Sequence, residues 1–463
     1  MRGARGMFSP HRWSAKAGPR STRASHLLPT PPQEEIEETL VWGRVFAYYG
    51  RVKKIALNLL VSLSRRILAK YQPRIIGVTG SVGKTTTKEA IYTALRGSFR
   101  VARSLKDANT EWGVTATIID QEFYPVGRDS IGRAKLSVGE LIGLLYRGCK
   151  RLLVKGDYPE ILILELAAEQ AGDIKFFNQF LQYDIAVITN IGQVHLEFYR
   201  DQTELTAEKL SIADGLKPSG LMVLNGDNEL LTEFITTTRL RRTTFGWDEA
   251  NQYNIHLRDI GVDGLRYEVN TPDGGVEVVL GFGRQLVDAA AVAVAVGREL
   301  GIPLAQLGQR LTGLASPAGR FEMWQLRRGI TLVNDAYNAN PDSMKSALTS
   351  LQDIASVSPP GATRRRVAIL GGMRELGLAH ETAHLDVGRF LRDKVDLLVA
   401  VGADGGLMAD AAGLSADQVV QVDDPSQVDF SKFLQDNDAV LVKASRSFGL
   451  DVVAQAIRQR IGQ

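Results

Sequence analysis

Apolar runs bounded by turn residues set the rhythm of this chain. From Arg74 to about Gly281 they recur as short β-branched segments, Ile75–Val78, Ile161–Leu164, Ile185–Thr189 and Leu221–Leu224, alternating with helical stretches. That alternation predicts a parallel, doubly wound sheet with helices over both faces. The stretch from Asn254 to Gly281 changes character. Tyr253–Leu257, Leu265–Val269 and Val276–Leu280 alternate in polarity and are punctuated by Asp-Gly and Asp-Gly-Gly, which predicts β-hairpins beside the parallel sheet. Asp288 to Leu300 reads as an Ala/Val helix, and Pro317-Ala318-Gly319-Arg320 as a hinge-like linker after the next helix. Strands at Ile330–Val333, Val367–Leu370, Leu397–Val401 and Ala439–Val442, with a last helix from Asp451, predict a second domain. The fold class is therefore α/β: a doubly wound parallel sheet with a small antiparallel β subdomain, followed by a smaller, Rossmann-like C-terminal α/β domain.

Four segments follow from this pattern. Residues 1–33, rich in Arg, Ser, Pro and Gly, read as a disordered basic tail. Residues 34–72 read as helical, with Trp42, Phe46, Tyr49, Leu59, Leu63 and Leu68 among basic residues. The middle domain runs over 73–315, interrupted by an insertion at about 122–158 that holds an apolar piece from Leu141 to Tyr146. The C-terminal domain takes 316–463. The helical segment is expected to dock on the middle domain, with peripheral membrane contact through 40–70 as the sharper alternative. Its longest apolar run, Ile55 to Leu63, falls well short of the roughly 18 residues that a span requires.

Charge and cysteine usage narrow the function classes. Net charge is +3, but residues 1–33 hold six basic residues and no acid, so the remainder carries −3. A mildly acidic body gives no footprint for nucleic acid. Cys149 is the single cysteine, which excludes intramolecular disulfides and Cys-rich metal sites. With no apolar leader core, the expectation is a cytoplasmic monomer.

The chemistry starts at Ile75-Ile76-Gly77-Val78-Thr79-Gly80-Ser81-Val82-Gly83-Lys84-Thr85-Thr86-Thr87. Strand, glycine turn and helix N-terminus together form a P-loop. Gly80 and Gly83 let backbone N–H groups approach an anion, Lys84 reaches the outer phosphates, and the Thr85 hydroxyl stands where Mg²⁺ needs a ligand. Val78 stands where the strict Walker pattern has Gly. Glu165 closes the next strand, the usual place for the opposite anchor of the nucleotide's Mg²⁺. His195, just past Ile185–Thr189, is a candidate ligand of a second metal. Lys209, by its own surroundings, reads as a solvated helix lysine. From Asn334 to Ser343, polar residues crowd the end of a strand more densely than helix capping requires, which marks a binding loop.

Read together, these stretches resemble the Mur ligase family. The residues that carry the likeness are Thr79–Thr86, Asn109-Thr110-Glu111-Trp112-Gly113, Glu165-Leu166-Ala167-Ala168, Thr189–Glu197 and Lys209. Asp335-Ala336-Tyr337-Asn338-Ala339-Asn340-Pro341-Asp342-Ser343, Leu370–Gly377 and Lys443-Ala444-Ser445-Arg446-Ser447 are similar to the branch that joins D-alanyl-D-alanine to a UDP-muramoyl tripeptide. The resemblance implies ATP-driven amide formation through an acyl phosphate, with two Mg²⁺ ions. It implies that Thr79, Gly80, Ser81, Val82, Gly83, Lys84, Thr85 and Thr86 hold phosphate, and that Asn190 lies near the adenine. Arg320 and Asp335 would reach phosphate and ribose from the C-terminal domain. Thr85 and Glu165 would hold one ion, and His195 the other beside Lys209 in carbamylated form, with Lys84, Glu165, His195 and Lys209 catalytic. Asn109, Glu111, Tyr337, Asn338, Asn340, Lys443, Ser445 and Arg446 would meet the UDP-muramoyl peptide or the D-alanyl-D-alanine. Some positions depart from the family pattern. No stretch of 34–72 matches the UDP-gripping N-terminal domain, Gln285-Leu286-Val287-Asp288 replaces a His-Asn-x-x-Asn motif, and Asn334, Gly372 and Ala444 replace Asp, Asp and Gly. The 122–158 insertion is also foreign to it.

Overall fold

β1 (Arg74–Thr79) is the axis of the larger sheet, with every residue from Ile75 onward buried. In this computed structural model residues 53–462 are described, other than 107, 125–126, 129–133, 195, 262–263 and 358–363. The 1–33 tail, the first part of the 34–72 segment and His195 therefore lie outside the described residues.

β1 pairs in parallel with β5 (Ile161–Glu165) on one side and β6 (Tyr183–Ile188) on the other. β2 (Val101–Arg103) forms the edge beyond β5. Past β6 come β7 (Leu216–Asn225), β8 (Arg242–Gly246), β9 (Tyr253–Gly261), β10 (Gly264–Thr271) and β11 (Gly274–Leu280), which completes nine strands in the order β11-β10-β9-β8-β7-β6-β1-β5-β2. The strands predicted as hairpins are not a separate layer. β9 joins β8 in parallel, and β10 and β11 then continue the same sheet antiparallel. A turn at Pro272-Asp273 reverses the chain between β10 and β11, and the half-buried alternation leaves one face for the core.

Side chains of β1, β5 and β6 alternate between two cores. Ile76, Val78, Ile163 and Val187 pack with α2 (Lys84–Leu95) and α8 (Arg284–Glu299). Ile75, Leu162, Leu164 and Ile188 face the opposite layer. That layer holds α1 (53–71), α3 (Glu111–Ile119), α4 (Val138–Leu153) and α5 (Asp173–Asn178). α1 presses Leu60, Val61, Leu63 and Ile67 into it, which is the docked amphipathic helix that its spacing predicts. Between β4 (Ala134–Lys135) and its partner β3 (Gly127–Arg128) the insertion makes a short ribbon, and α4 follows. α6 (Gln202–Leu210), α7 (Glu229–Thr237) and α9 (Leu304–Leu311) complete the domain. α8 begins at Arg284, four residues before the predicted start, because Gly283 at φ 126° breaks the backbone there.

The second sheet runs β12-β13-β17-β14-β15-β16. Its strands are β12 (Glu322–Gln325), β13 (Thr331–Asn334), β14 (Arg366–Leu370), β15 (Leu397–Val401), β16 (Val419–Val422) and β17 (Ala439–Lys443). Only β12 is antiparallel to its neighbour. α10 (Pro341–Ser356), α11 (His380–Leu391), α12 (Gly402–Ala412) and α13 (Asp451–Ile461) cover it. α10 meets α8 through Ser350, whose hydroxyl accepts the Arg284 N–H at 3.2 Å, and through the Arg284–Asp353 ion pair at 3.2 Å. The C-terminal ends of the two sheets consequently border one cleft.

Candidate active site

The turn after β1 is shaped for close backbone approach. Gly80 sits at φ 146° and Gly83 at φ 83°. A Cβ on Gly80 would lie 2.1 Å from Thr189 Oγ1 and 3.0 Å from the Asn190 carbonyl. No side chain caps α2, whose N-cap is Gly83, so its first N–H groups remain open to an anion. Lys84 folds back over the turn and donates to the Gly80 carbonyl at 2.6 Å.

The turn is fastened by its own hydroxyls. Ser81 N donates to the Asn190 carbonyl at 2.7 Å, Ser81 Oγ to the Gly192 carbonyl at 3.2 Å, and Thr79 Oγ1 to the Leu166 carbonyl at 3.2 Å. Thr189 Oγ1 donates to the Val82 carbonyl at 2.5 Å. The Thr79 and Ser81 side chains thus brace the cradle.

Glu165 ends β5 and is buried. Thr85 Oγ1 donates to both of its oxygens, at 3.1 and 3.0 Å, and Asn109 Nδ2 reaches Oε1 at 3.2 Å. Lys88 Nζ, also buried, lies 3.2 Å from Oε2 and donates to the Lys106 carbonyl at 2.6 Å. Burial alone would push the Glu165 carboxyl up, but Lys88, Arg320 and Lys84 outweigh it and hold its pKa low. Lys84 is itself held low, by burial first and then by Arg320, against the pull of Glu165. An anionic oxygen pair beside a hydroxyl, facing a phosphate cradle, is the donor set a nucleotide-bound Mg²⁺ takes, so these residues fit that ion.

Lys209 corrects the solvated reading. It lies on the inner face of α6, fully buried, and its amine pKa is lowered to about 7 by burial and then by Lys84. Its neighbour Glu208 accepts from Gly172 N at 2.9 Å and Ile174 N at 2.7 Å, which ties α6 to the start of α5.

The C-terminal domain sends Arg320 into the same field, since it lowers both the Glu165 and Lys84 values. Its guanidinium lies 4.1 Å from the Tyr337 ring centroid, with Arg446 at 5.2 Å from the same ring. Asp335 accepts from Phe321 N at 2.9 Å through one oxygen and from Lys443 Nζ at 2.6 Å through the other. Lys443 also donates to the Asn338 carbonyl at 3.0 Å. Asp335 and Lys443 are therefore a buried pair that pins the linker to the second sheet. Asn338 Oδ1 accepts from the Ala339 N–H at 2.9 Å, and Asn340 Oδ1 accepts from Ser343 N at 2.9 Å as the N-cap of α10. Ser445 Oγ donates to the Ala339 carbonyl at 3.2 Å and accepts from Arg374 N at 2.9 Å, which joins two loops. Glu111 opens α3 after its N-cap Thr110 and lines a cavity of about 290 Å³ with Glu169 and Asp173.

Two further cavities flank the cradle. One, of about 260 Å³, lies behind Val82 and Gly83 and is lined by Asn190, Phe245, Gln285 and Asp288. The Asp288 carboxyl rises to about 7, chiefly through burial, while the Trp247 indole N–H donates to it at 3.0 Å. The other, of about 680 Å³, opens beside Thr85 and is walled by Arg96, Arg103, Lys106 and Arg310. Sequence reading missed Lys88 and Asp288. Lys88 is three residues from Thr85 among the buried Thr, Ala, Ile and Leu of α2, and Asp288 heads the Ala/Val run; a charge beside apolar helix positions was the available signal.

The sequence matches the Mur ligase middle domain over residues 78–297 and the Mur ligase, glutamate ligase domain over residues 319–446. It is 31% identical over 408 residues to the UDP-N-acetylmuramoyl-tripeptide–D-alanyl-D-alanine ligase of Mycobacterium tuberculosis, covering 83% of this chain and 72% of that one. The ligase of that name from Bacillus subtilis is 27% identical over 406 residues, covering 86% of this chain and 79% of the relative. Among solved structures, the MurF ligase of Thermotoga maritima in complex with ADP superimposes with a TM-score of 0.70 at 25% identity, over 87% of this chain and 83% of that one. Escherichia coli FolC in complex with ADP shares the fold at 16% identity, with a TM-score of 0.57 over 87% of this chain and 94% of that one. With both domains matched and a relative above three-tenths identity across most of its length, the chain belongs to the Mur ligase family.

Proposed function

We infer that this chain is an ATP-dependent, ADP-forming ligase of peptidoglycan precursor synthesis that adds D-alanyl-D-alanine to UDP-N-acetylmuramoyl tripeptide. The observation that carries this reading is the meeting of the Lys84 turn, the Thr85–Glu165 pair, buried Lys209 and Arg320 in one cleft, in a chain with these relatives.

The residues divide the work by charge. Lys84 and the open N–H groups of α2 hold the β- and γ-phosphates of ATP, and Arg320 neutralises them from the far side. Asn190 and the cavity behind Val82 take the base. Thr85 and Glu165 hold the nucleotide's Mg²⁺, which when bound withdraws charge from the phosphoryl oxygens. The tripeptide carboxylate attacks the γ-phosphorus and ADP leaves, giving an acyl phosphate. The D-alanyl-D-alanine amine then adds to the acyl carbon, inorganic phosphate leaves, and the amine proton passes to solvent. Closure of the C-terminal domain over the cleft excludes the water that would hydrolyse the acyl phosphate.

Lys209 and His195 belong to the second-ion part of the proposal. A buried amine with a pKa near 7 is in good part neutral at neutral pH, the form that adds to CO₂ and releases a proton to give a carbamate. That converts a cation into an anion where a second ion would stand. Asn109, Glu111, Tyr337, Asn338, Asn340, Lys443, Ser445 and Arg446 frame the substrate side. Of these, Asn340 and Lys443 act through the loop they hold, and Tyr337 and Arg446 present surface to the cleft.

The test is phosphate release from ATP with UDP-N-acetylmuramoyl tripeptide and D-alanyl-D-alanine, each omitted in turn. Release that needs the tripeptide, with amide product only when both are present, is the expected result. Release independent of both, or product formed with glutamate in place of the dipeptide, overturns the assignment.

A further inference from the structure

α4 is an amphipathic helix whose apolar arc is wider than the core it covers. Its underside, Leu144 and Gly148, is buried, and a Cβ on Gly148 would lie 2.1 Å from Leu63 Cδ2 of α1. Leu141, Leu145 and Leu152 are partly buried against the same core. Yet Val138, Ile142, Tyr146 and Leu153 are 74%, 62%, 68% and 85% exposed, and Cys149 is exposed among them. At about 100° per residue these five positions fall within about 80° of arc, a stripe along a helix roughly 24 Å long. Val154, 54% exposed, follows as the C-cap in extended backbone.

The stripe is held rigid. Ser137 and Glu140 form a capping box at its start. At its end Lys70 Nζ donates to the Arg151, Leu152 and Val154 carbonyls at 2.9, 2.9 and 3.2 Å, and Tyr71 Oη to the Arg151 carbonyl at 2.9 Å. Arg151 Nε donates to the Ile119 carbonyl at 3.0 Å, which locks the helix to α3. Four large apolar side chains, with Cys149 among them, are thus fixed on the outside of a helix with a capped start and a braced end. Stabilising that arrangement without a partner runs against the hydrophobic effect.

The α4 helix itself is mostly basic, although Arg147 is paired with Asp120 at 3.0 Å and exposed Asp157 follows the helix end. α4 carries Arg147, Lys150 and Arg151, Lys155 stands two residues past its end, and the helix's only acid, Glu140, belongs to the capping box. α1 adds Leu59, 51% exposed, and the exposed pair Arg65 and Arg66. This cationic patch stands on a body that is net acidic once residues 1–33 are set aside. The shape is a convex ridge one side chain wide, suited to sinking between headgroups, and among the described residues no helix is long and apolar enough to cross a bilayer. We propose that α4 lies in the plane of an anionic lipid bilayer, with Val138, Ile142, Tyr146 and Leu153 in the acyl boundary and Lys150 and Lys155 at the headgroups.

The test uses the full chain and vesicles of phosphatidylcholine with and without phosphatidylglycerol, read by co-sedimentation. The expected result is binding to the anionic vesicles, weaker by at least ~10-fold for Ile142→Glu/Leu153→Glu because two buried side chains are lost from the acyl boundary. Binding is also expected to fall at high salt as the Debye length shrinks. Nucleotide binding of the double variant, unchanged from the parent, confirms that it is folded. Independently, Tyr146→Trp is expected to shift its emission to the blue on vesicles and to be quenched by brominated acyl chains. Failure of the parent to bind, equal binding by the double variant, or no quenching of the tryptophan overturns the proposal. So does a dimer in lipid-free solution that the double variant abolishes, because a second copy would then be what covers the stripe.

Discussion

Lys88→Met removes the ammonium that faces Glu165, and with it the hydrogen bond to the Lys106 carbonyl, while keeping a chain of similar length that leaves no cavity. Both groups are buried, at 0% and 1% exposure, with Nζ 3.2 Å from Oε2. Breaking such a pair from one side leaves a charge without its nearest partner and costs about 3–5 kcal/mol. The remaining Thr85 and Asn109 hydrogen bonds and the fields of Arg320 and Lys84 stay in place, so the lower end of that range applies, about 3 kcal/mol at pH 8. The pH dependence follows from the sign of the shift. In the parent, the Glu165 pKa lies below its unfolded value of 4.5, so its stabilising contribution is present above pH 4.5 and is lost as pH falls through the lower folded value. Without Lys88, the largest opposing influence on burial is gone and the folded pKa moves upward. Glu165 in the variant therefore takes up its proton at a higher pH than in the parent, and the deficit shrinks toward acid pH. Urea unfolding of both proteins from pH 4 to pH 8 measures this. A deficit growing with pH to about 3 kcal/mol is expected, and Mg²⁺ should restore part of it at pH 8 by replacing the missing cation. A pH-independent deficit, or one below about 1 kcal/mol at pH 8, refutes the assignment of Lys88 as the counter-charge that sets Glu165.

Three further outcomes test the site. Lys209→Ala is expected to abolish ligation while nucleotide affinity measured by fluorescence titration stays near the parent's, and added short carboxylic acids should restore part of the rate; full activity without them removes the carbamate role. In the parent, the same reading has ligation fall as pH drops below about 7, where the Lys209 amine becomes protonated, and raised bicarbonate should oppose that fall. Gly80→Ala places a Cβ 2.1 Å from Thr189 Oγ1 at φ 146°, so nucleotide affinity should drop at least ~10-fold, through about 1–3 kcal/mol of backbone strain, with no comparable loss in the tripeptide's KM. Asp288, raised to about 7 from 3.8, makes the parent lose stability as pH rises from 3.8 through about 7, so Asp288→Asn should flatten that slope in urea melts and be relatively more stable at pH 8 than at pH 4.

Much of the middle sheet was legible because its strands are continuous apolar runs, and burial on both faces leaves such runs no other use. The strands that were not foreseen, β2, β3, β4, β8, β12 and β16, are short; β2, β12 and β16 lie at sheet edges and β3 and β4 pair only with each other, where the hydrophobic signal is thin. The hairpins were foreseen as hairpins, but their attachment to β8 depends on a register between residues far apart in sequence. Asn340 illustrates the limit at the site. Its place in a dense polar loop suggests a ligand contact, whereas the folded chain uses its side chain to cap α10.

By itself the sequence determined the strand, glycine turn and helix start around Lys84, the carboxylate after β5 and the order of the two domains. These rest on neighbouring residues: a β-branched run, two glycines and a helix start define strand, turn and N-terminus within a dozen positions. Only the tertiary structure decided which charges are buried and what faces them. Lys209 changed from a solvated lysine to a buried amine, Lys88 became the counter-charge of Glu165, Asp335 closed on Lys443, and α4 was left with a bare apolar stripe. Desolvation and pairing are set by side chains brought together across tens to hundreds of residues, and no local pattern carries that information.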